Sequence, residues 1–123
     1  MFQLTKKFKF EASHRLPEYN GPCERLHGHT FHGEVVVSGW ELKNSGSQAG
    51  MLIDYAEIKK VISPVIDEYL DHHHLNDVIE NPTSENIAKW LWKQWQPGFA
   101  LKGVKLAKIV IEETESSRCE YYE

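Results

Sequence analysis

Apolar and polar residues alternate with a period of two through the first part of the chain. Phe2, Leu4, Phe8, Phe10 and Ala12 fall on one face together with His14, while Gln3, Thr5, Lys7, Lys9 and Glu11 take the other. A second alternating run places His27, His29, Phe31, Gly33, Val35 and Val37 on one face and Thr30, His32, Glu34 and Val36 on its opposite. This pattern predicts two strands. Joined through residues 17–22 as an antiparallel hairpin, they bring their histidine-bearing ends together. A loop containing Gly, Ser and Asn at 44–50 then separates the hairpin from the rest of the chain.

The period changes to that of a helix after Asp54. Tyr55, Ile58, Val61, Ile62, Val65, Ile66 and Tyr69 keep the spacing of one apolar stripe, with Asp54 placed to cap the first turn and Glu57 at its third position. Pro64 falls inside this stripe, where it removes a backbone donor, so a kink or a break at Ser63 is expected. A second helix is predicted from Thr83 or Ser84 after Pro82, with Ile87, Trp90, Leu91 and Trp95 as its apolar stripe and Pro97-Gly98 as its end. Alternation returns at 104–114. There Ala107, Ile109, Ile111 and Glu113 share a face, and Val104, Leu106, Lys108, Val110 and Glu112 the other. A short strand at 118–122 completes a β-β-α-α-β-β order, an α+β sheet of four strands with both helices on one face. Its free edges invite assembly, edge to edge, into an oligomeric β-barrel.

The chemistry concentrates where the apolar faces of the hairpin end. His14, His27 and His29 would converge there, and three imidazoles suit Zn²⁺ while leaving a position open for water or substrate. Cys23, four residues before His27, could close such a site as a fourth ligand or stand beside it as a base. Between the helices, the run Leu-Asp-His-His-His-Leu-Asn-Asp at 70–77 is poorly spaced for chelation from one helix, but Asp71 could orient an imidazole for acid–base work.

Composition narrows the partner. The 123 residues suit one domain, and a net charge of −4 with scattered Lys and Arg offers neither a nucleic-acid stripe nor a basic membrane helix, so a small molecule is the expected partner. No apolar stretch reaches membrane-spanning length, and the alternating amino terminus lacks the apolar run of a signal peptide, so the chain is expected to be cytoplasmic. Its two cysteines, Cys23 and Cys119, are then expected to be free thiols.

Five segments carry a family resemblance: Phe10-Glu11-Ala12-Ser13-His14-Arg15-Leu16, Cys23-x-x-x-His27-Gly28-His29, Leu70-Asp71-His72-His73, Pro82-Thr83-Ser84-Glu85-Asn86 and Glu113-Thr114. In this order and together they resemble the 6-pyruvoyl-tetrahydropterin synthase family, most closely its carboxy-forming, 6-carboxytetrahydropterin synthase branch. The resemblance implies the tunnelling fold (T-fold), a homohexamer built from two trimers, and active sites between subunits. It implies that His14, His27 and His29 bind Zn²⁺, one per subunit, that Cys23 accepts a proton, and that Asp71 and His72 form a couple serving it. Glu113 would anchor the pterin, with Thr83 and Ser84 lining its pocket. The implied reaction converts 7,8-dihydroneopterin triphosphate to 6-carboxy-5,6,7,8-tetrahydropterin, releasing acetaldehyde and triphosphate, on the route to queuosine in transfer RNA. The alternative is triphosphate elimination to the 6-pyruvoyl product.

Overall fold

The computed structural model describes residues 1–17, 20–21 and 25–123. Its first two strands, β1 (Phe2–His14) and β2 (His27–Gly39), pair antiparallel in an unbroken register from Phe2 opposite Gly39 to His14 opposite His27. Burial follows the alternation: Phe10, Ala12 and His14 are buried on β1 and Phe31, Val35 and Val37 on β2, whereas Gln3, Thr5, Lys7, Lys9 and Glu11 are exposed. The apolar face is thus a direct consequence of the period-two pattern.

Two helices cover that face. Helix α1 (Tyr55–Val65) starts where the Asp54 carboxylate accepts the Ala56 amide at 2.9 Å. Pro64 does not break it at Ser63. The ring is on the exposed side, where the carbonyl it leaves unpaired can be hydrated. The helix runs on to Val65 and widens into a π turn, Ile66–Leu70, closed by the Asp71 amide on the Ile66 carbonyl at 2.8 Å. Helix α2 (Ser84–Leu101) is capped by Thr83, whose hydroxyl accepts the Asn86 amide at 3.1 Å.

Helix α2 also continues through Pro97-Gly98, the expected end. Phe99 extends the buried stripe of Leu91 and Trp95 by another turn, and Pro97 again lies on the solvent side. Gly98 serves packing instead of termination, since a Cβ there would lie 3.0 Å from Val61 Cγ1 of α1. The helix stops at Gly103 (φ +78), where the Gly103 and Val104 amides return to the Ala100 and Phe99 carbonyls.

Strand β4 (Lys105–Thr114) pairs with β2, and β5 (Ser117–Tyr121) with β4. A further strand, β3 (His73–His74), lies parallel to Ala12–Ser13, so the sheet has five strands in the order β3-β1-β2-β4-β5 where the sequence pattern indicated four. Two residues of strand carry no readable period, and only contacts distant in sequence create them. A register shift opposite Val36 and Val37 inserts Ala107 as a bulge, which turns Leu106 into the core at 2% exposure, against the parity expected for it. The other face of the sheet carries an ionic lattice. Arg118 reaches Glu34, Glu112 and Glu120, and Lys108 reaches Glu120, over the buried Val36 and Val110. Among the described residues, no helix is long and apolar enough to cross a membrane.

Candidate metal centre

The hairpin register places His14 directly across from His27, and Ala12 across from His29, so the three imidazoles emerge on one face at one end of the sheet. His14 Nε2 lies 2.9 Å from His27 Nε2 and 3.1 Å from His29 Nε2. Phe31 forms the floor, its ring centroid 4.4 Å from that of His29 and 5.2 Å from that of His14. His14 is fully buried; His27 and His29 are partly exposed.

The outer ring nitrogens determine what the inner ones can do. His14 Nδ1 lies 2.9 Å from the Pro82 carbonyl and His27 Nδ1 2.8 Å from the Arg25 carbonyl. A carbonyl only accepts, so each Nδ1 carries the proton of the neutral ring and each Nε2 presents a lone pair to the centre. Two lone pairs 2.9 Å apart repel unless a proton or a cation lies between them.

Glu113 adds a fourth donor. Its Oε1 is 2.9 Å from His14 Nε2 and 3.5 Å from His29 Nε2, and it is buried without an aligned hydrogen-bond donor. Neutral His14, its proton held at Pro82, has none to offer this carboxylate. An imidazolium or a cation at the centre would satisfy it. For His14, burial opposes protonation, but the hydrogen bond to Glu113, the Pro82 carbonyl and the Glu113 charge outweigh it, and the pKa rises above 6.5. His29 moves down, chiefly through burial, aided by the neighbouring imidazoles against the pull of Glu113. The carboxyl of Glu113 is lowered by the hydrogen bond that a protonated His14 would give it, against its own burial, and by the charges of the three histidines.

These four residues offer ligand atoms that all lie within 4.8 Å of one another and could hold a metal ion. Donors about 2.0–2.1 Å from a tetrahedral zinc lie roughly 3.3 Å apart, close to the spacings seen between His14 and its neighbours. Carbonyls that accept the outer N–H groups of imidazoles are also the usual second layer of a metal site. The donor set therefore fits zinc.

The remaining expected site residues are placed elsewhere. Cys23 lies outside the described residues. Asp71 and His72 are not part of the imidazole cluster: Asp71 Oδ1 accepts the Glu11 amide at 2.9 Å, and the His72 amide donates to the Glu11 carbonyl at 2.6 Å. His72 adopts a left-handed conformation (φ +59), its side chain 79% exposed, with Nε2 3.7 Å from Asp71 Oδ2. Thr83 spends its hydroxyl on the α2 cap. Ser84 lines a cleft of about 370 Å³ with Glu85, Ser117, Arg118 and Cys119. Cys119 is a free thiol whose pKa is raised by burial and by Glu85 and Glu120.

Three contributors carry no side-chain signal or a weak one. The carbonyls of Pro82 and Arg25 orient imidazoles, yet a main-chain oxygen is common to all residues. Asn76 clamps the residue after His14, accepting the Arg15 amide and donating to the Arg15 carbonyl, both at 2.8 Å. His74 Nδ1 is 3.0 Å from Ser13 Oγ, so residues 71–82 stitch the end of β1 from Glu11 to Arg15.

Fold and site together define a small α+β protein with a metal-competent histidine–carboxylate centre at the end of its first hairpin. The family model described as 6-pyruvoyl tetrahydropterin synthase matches residues 3–123. A relative from Synechocystis named 6-carboxy-5,6,7,8-tetrahydropterin synthase is 40% identical over 125 residues, covering 99% of this chain and 94% of its own. A dihydroneopterin monophosphate aldolase from Pyrococcus furiosus is 45% identical over 91 residues, covering 72% of this chain and 70% of its own. The solved structure of Caenorhabditis elegans 6-pyruvoyl tetrahydropterin synthase superposes with a TM-score of 0.83 at 28% identity, covering 99% of this chain and 95% of that one. The chain belongs to the 6-pyruvoyl tetrahydropterin synthase family and has its T-fold subunit.

Proposed function

We propose that this protein is a zinc-dependent 6-carboxy-5,6,7,8-tetrahydropterin synthase, a carbon–carbon lyase acting on 7,8-dihydroneopterin triphosphate, with uptake of one water and release of acetaldehyde and triphosphate. The observation that carries this reading is the inward convergence of three Nε2 atoms, two of them fixed as lone-pair donors, beside a carboxylate whose Oε1 is buried. The similarity to the Synechocystis synthase over nearly the whole chain supports the choice of branch.

In this reading His14, His27 and His29 hold the metal. Zinc would supply Lewis-acid polarisation of the substrate's side-chain hydroxyls, making their protons and those on adjacent carbons more acidic. Phe31 and the burial of His14 keep one side of the centre dry, which strengthens each electrostatic contact there. Cys23 accepts a proton as its thiolate, on the strength of the Cys-x-x-x-His-Gly-His motif. Asp71 and His72 relay protons, with the Glu11 main chain holding the turn that presents them. Glu113 accepts paired hydrogen bonds from the 2-amino-pyrimidinone edge of the pterin, and Ser84 and Thr83 belong to the wall of that pocket.

The high exposure of His72 suits a site completed by another copy of the chain. Along most of its length β1 has one unpaired edge, as does β5, and joining these edges head to tail closes a ring. The assembly proposed is a homohexamer of two stacked trimers, each subunit a single domain over 1–123. The cytoplasm is the proposed location, and the 7-deazaguanine route to queuosine the proposed pathway.

A second reading, aldol cleavage to a 6-hydroxymethyl pterin and a two-carbon aldehyde fragment, draws on the Pyrococcus relative. Stopping at the 6-pyruvoyl product is the third, in keeping with the name of the Caenorhabditis structure. Parallel incubations of zinc-loaded protein with 7,8-dihydroneopterin triphosphate and with 7,8-dihydroneopterin monophosphate separate them. Acetaldehyde together with a 6-carboxy product by mass supports the synthase; a 6-pyruvoyl or 6-hydroxymethyl product overturns it in favour of the corresponding reading.

A further inference from the structure

Glu113 stands where two demands on one carboxylate conflict. Its Oε1 is drawn into the imidazole cluster, 2.9 Å from His14 Nε2, and has no aligned donor of its own. With that oxygen on a metal, the ligand set is three nitrogens and one oxygen. Such a tetrahedral set is closed, whereas catalysis by a zinc centre needs a position free for water or substrate. The pterin edge, in turn, asks for both carboxylate oxygens at once. Glu113 cannot serve both partners together.

The backbone around Glu113 is suited to exchange. Ile111 pairs with Cys119 and Thr114 with Ser117, so Glu112 and Glu113 together face the single residue Arg118. This is a β-bulge, which interrupts the ladder and re-aims side chains. Glu112 is held on the opposite face by Arg118 at 2.9 Å, whereas Glu113 has its carboxylate between the buried centre and solvent, with the side chain 25% exposed. Arg118, opposite the bulge, and its neighbour Ser117 belong to the cleft that Ser84 lines.

We infer that Glu113 is a resting ligand that closes the metal position while no pterin is bound and is withdrawn when the pterin ring takes its carboxylate. The inference rests on the pterin-binding role given to Glu113 under the proposed function. Its consequence is gating: the metal becomes open to hydroxyl ligands only in a subunit whose pterin pocket is filled. A centre bound to Glu113 is shielded from water and from adventitious ligands. Recognition of the ring and exposure of the metal become one event, because one carboxylate performs both.

Cobalt(II) in place of zinc reports the ligand set through its visible absorption, independently of turnover. The probe is 7,8-dihydropterin, which has the ring edge but no side-chain hydroxyls to reach the metal. Its binding is followed separately by fluorescence. The cobalt spectrum of the parent protein is expected to differ from that of Glu113→Gln, and saturation of the parent with 7,8-dihydropterin is expected to shift its spectrum towards that of the variant. The spectrum of Glu113→Gln should not respond. Glu113→Asp, too short to bridge from the bulge to the centre, serves as a second variant and should resemble Glu113→Gln. Identical spectra for the parent and both variants would remove Glu113 from the metal and overturn the inference, while leaving the proposed synthase intact. A parent spectrum unchanged at saturating pterin would overturn the exchange. Absence of pterin binding to the parent would overturn the exchange and the pterin-anchoring role together. A product assay that fails while the spectral pattern holds would overturn the synthase reading alone.

Discussion

His14 Nδ1 donates to the carbonyl of Pro82 at 2.9 Å, joining the last residue of β1 to the segment that launches α2. This one bond fixes the tautomer of the most buried imidazole and turns its lone pair inward. His14→Ala should therefore abolish stoichiometric zinc binding, measured by metal analysis after dialysis. Because His14 is wholly buried against Phe31, the variant should also lose about 2–4 kcal/mol of stability in chemical denaturation. Retention of one zinc per chain by His14→Ala would place the metal elsewhere.

Asn76 acts on the same strand end from the next residue along. Its amide makes a two-way bridge to the Arg15 main chain, as a paired strand would, and Arg15 stands between β1 and the stretch of sequence that contains Cys23. Asn76→Ala is expected to cost about 1–2 kcal/mol, since two main-chain groups lose an ordered partner but remain near solvent. Asn76→Asp keeps the acceptor for the Arg15 amide and loses the donor for its carbonyl, so it should fall between the parent and Asn76→Ala. Equal stability for all three would deny the clamp any energetic role.

Hairpin and site were legible in the sequence to different depths. Parity along β1 and β2, joined as an antiparallel hairpin, brings His14, His27 and His29 together, because a strand alternates faces whatever surrounds it. The carbonyls of Pro82 and Arg25 were not legible, since a main-chain oxygen is identical at every position. Neither were the bulges at Ala107 and at Glu112–Glu113, where one added residue changes which neighbours a side chain meets. Leu106 enters the core for that reason. Pro97-Gly98 misled differently. Local stop signals favour ending a helix there, but continuing it buries Phe99, and Gly98 lets α1 approach closely at Val61. Tertiary packing outweighed propensity.

Gly33 is the glycine whose replacement should be most damaging. It pairs with Phe8 across the hairpin, and a Cβ at Gly33 would lie 2.3 Å from Phe8 Cζ and 2.7 Å from the Val110 carbonyl oxygen. Phe8 in turn packs edge-on to Trp95, their centroids 5.3 Å apart, so its ring has little room to retreat. Gly33→Ala is expected to destabilise the fold by about 1–3 kcal/mol, read as a lower denaturation midpoint. Gly46→Ala should cost less, because nothing lies within 4 Å of a Cβ there and only its positive φ resists the change.

The pH dependence of the metal-free protein should carry the signature of two histidines shifted in opposite directions. His14 titrates above 6.5 in the fold, so between 6.5 and its raised value the native state holds more protons than the unfolded chain. Its contribution is fully present below 6.5 and disappears as pH rises through that raised value. His29 titrates below 6.5, so its contribution is present above 6.5 and disappears as pH falls through its lowered value. The cluster alone thus gives the metal-free protein its greatest stability near pH 6.5, with losses on both sides. Glu113, lowered from 4.5, adds a further loss only at more acidic pH. Zinc reverses the alkaline limb. Binding requires all three rings neutral, so the proton that stabilises metal-free His14 must leave, and zinc competes better as pH rises. The melting-temperature gain from saturating zinc should therefore widen from roughly pH 6 to pH 8. Thermal scans of metal-free and zinc-loaded protein across this range test the coupling. A gain that is constant with pH would mean that zinc displaces no proton from His14 and does not bind at the cluster.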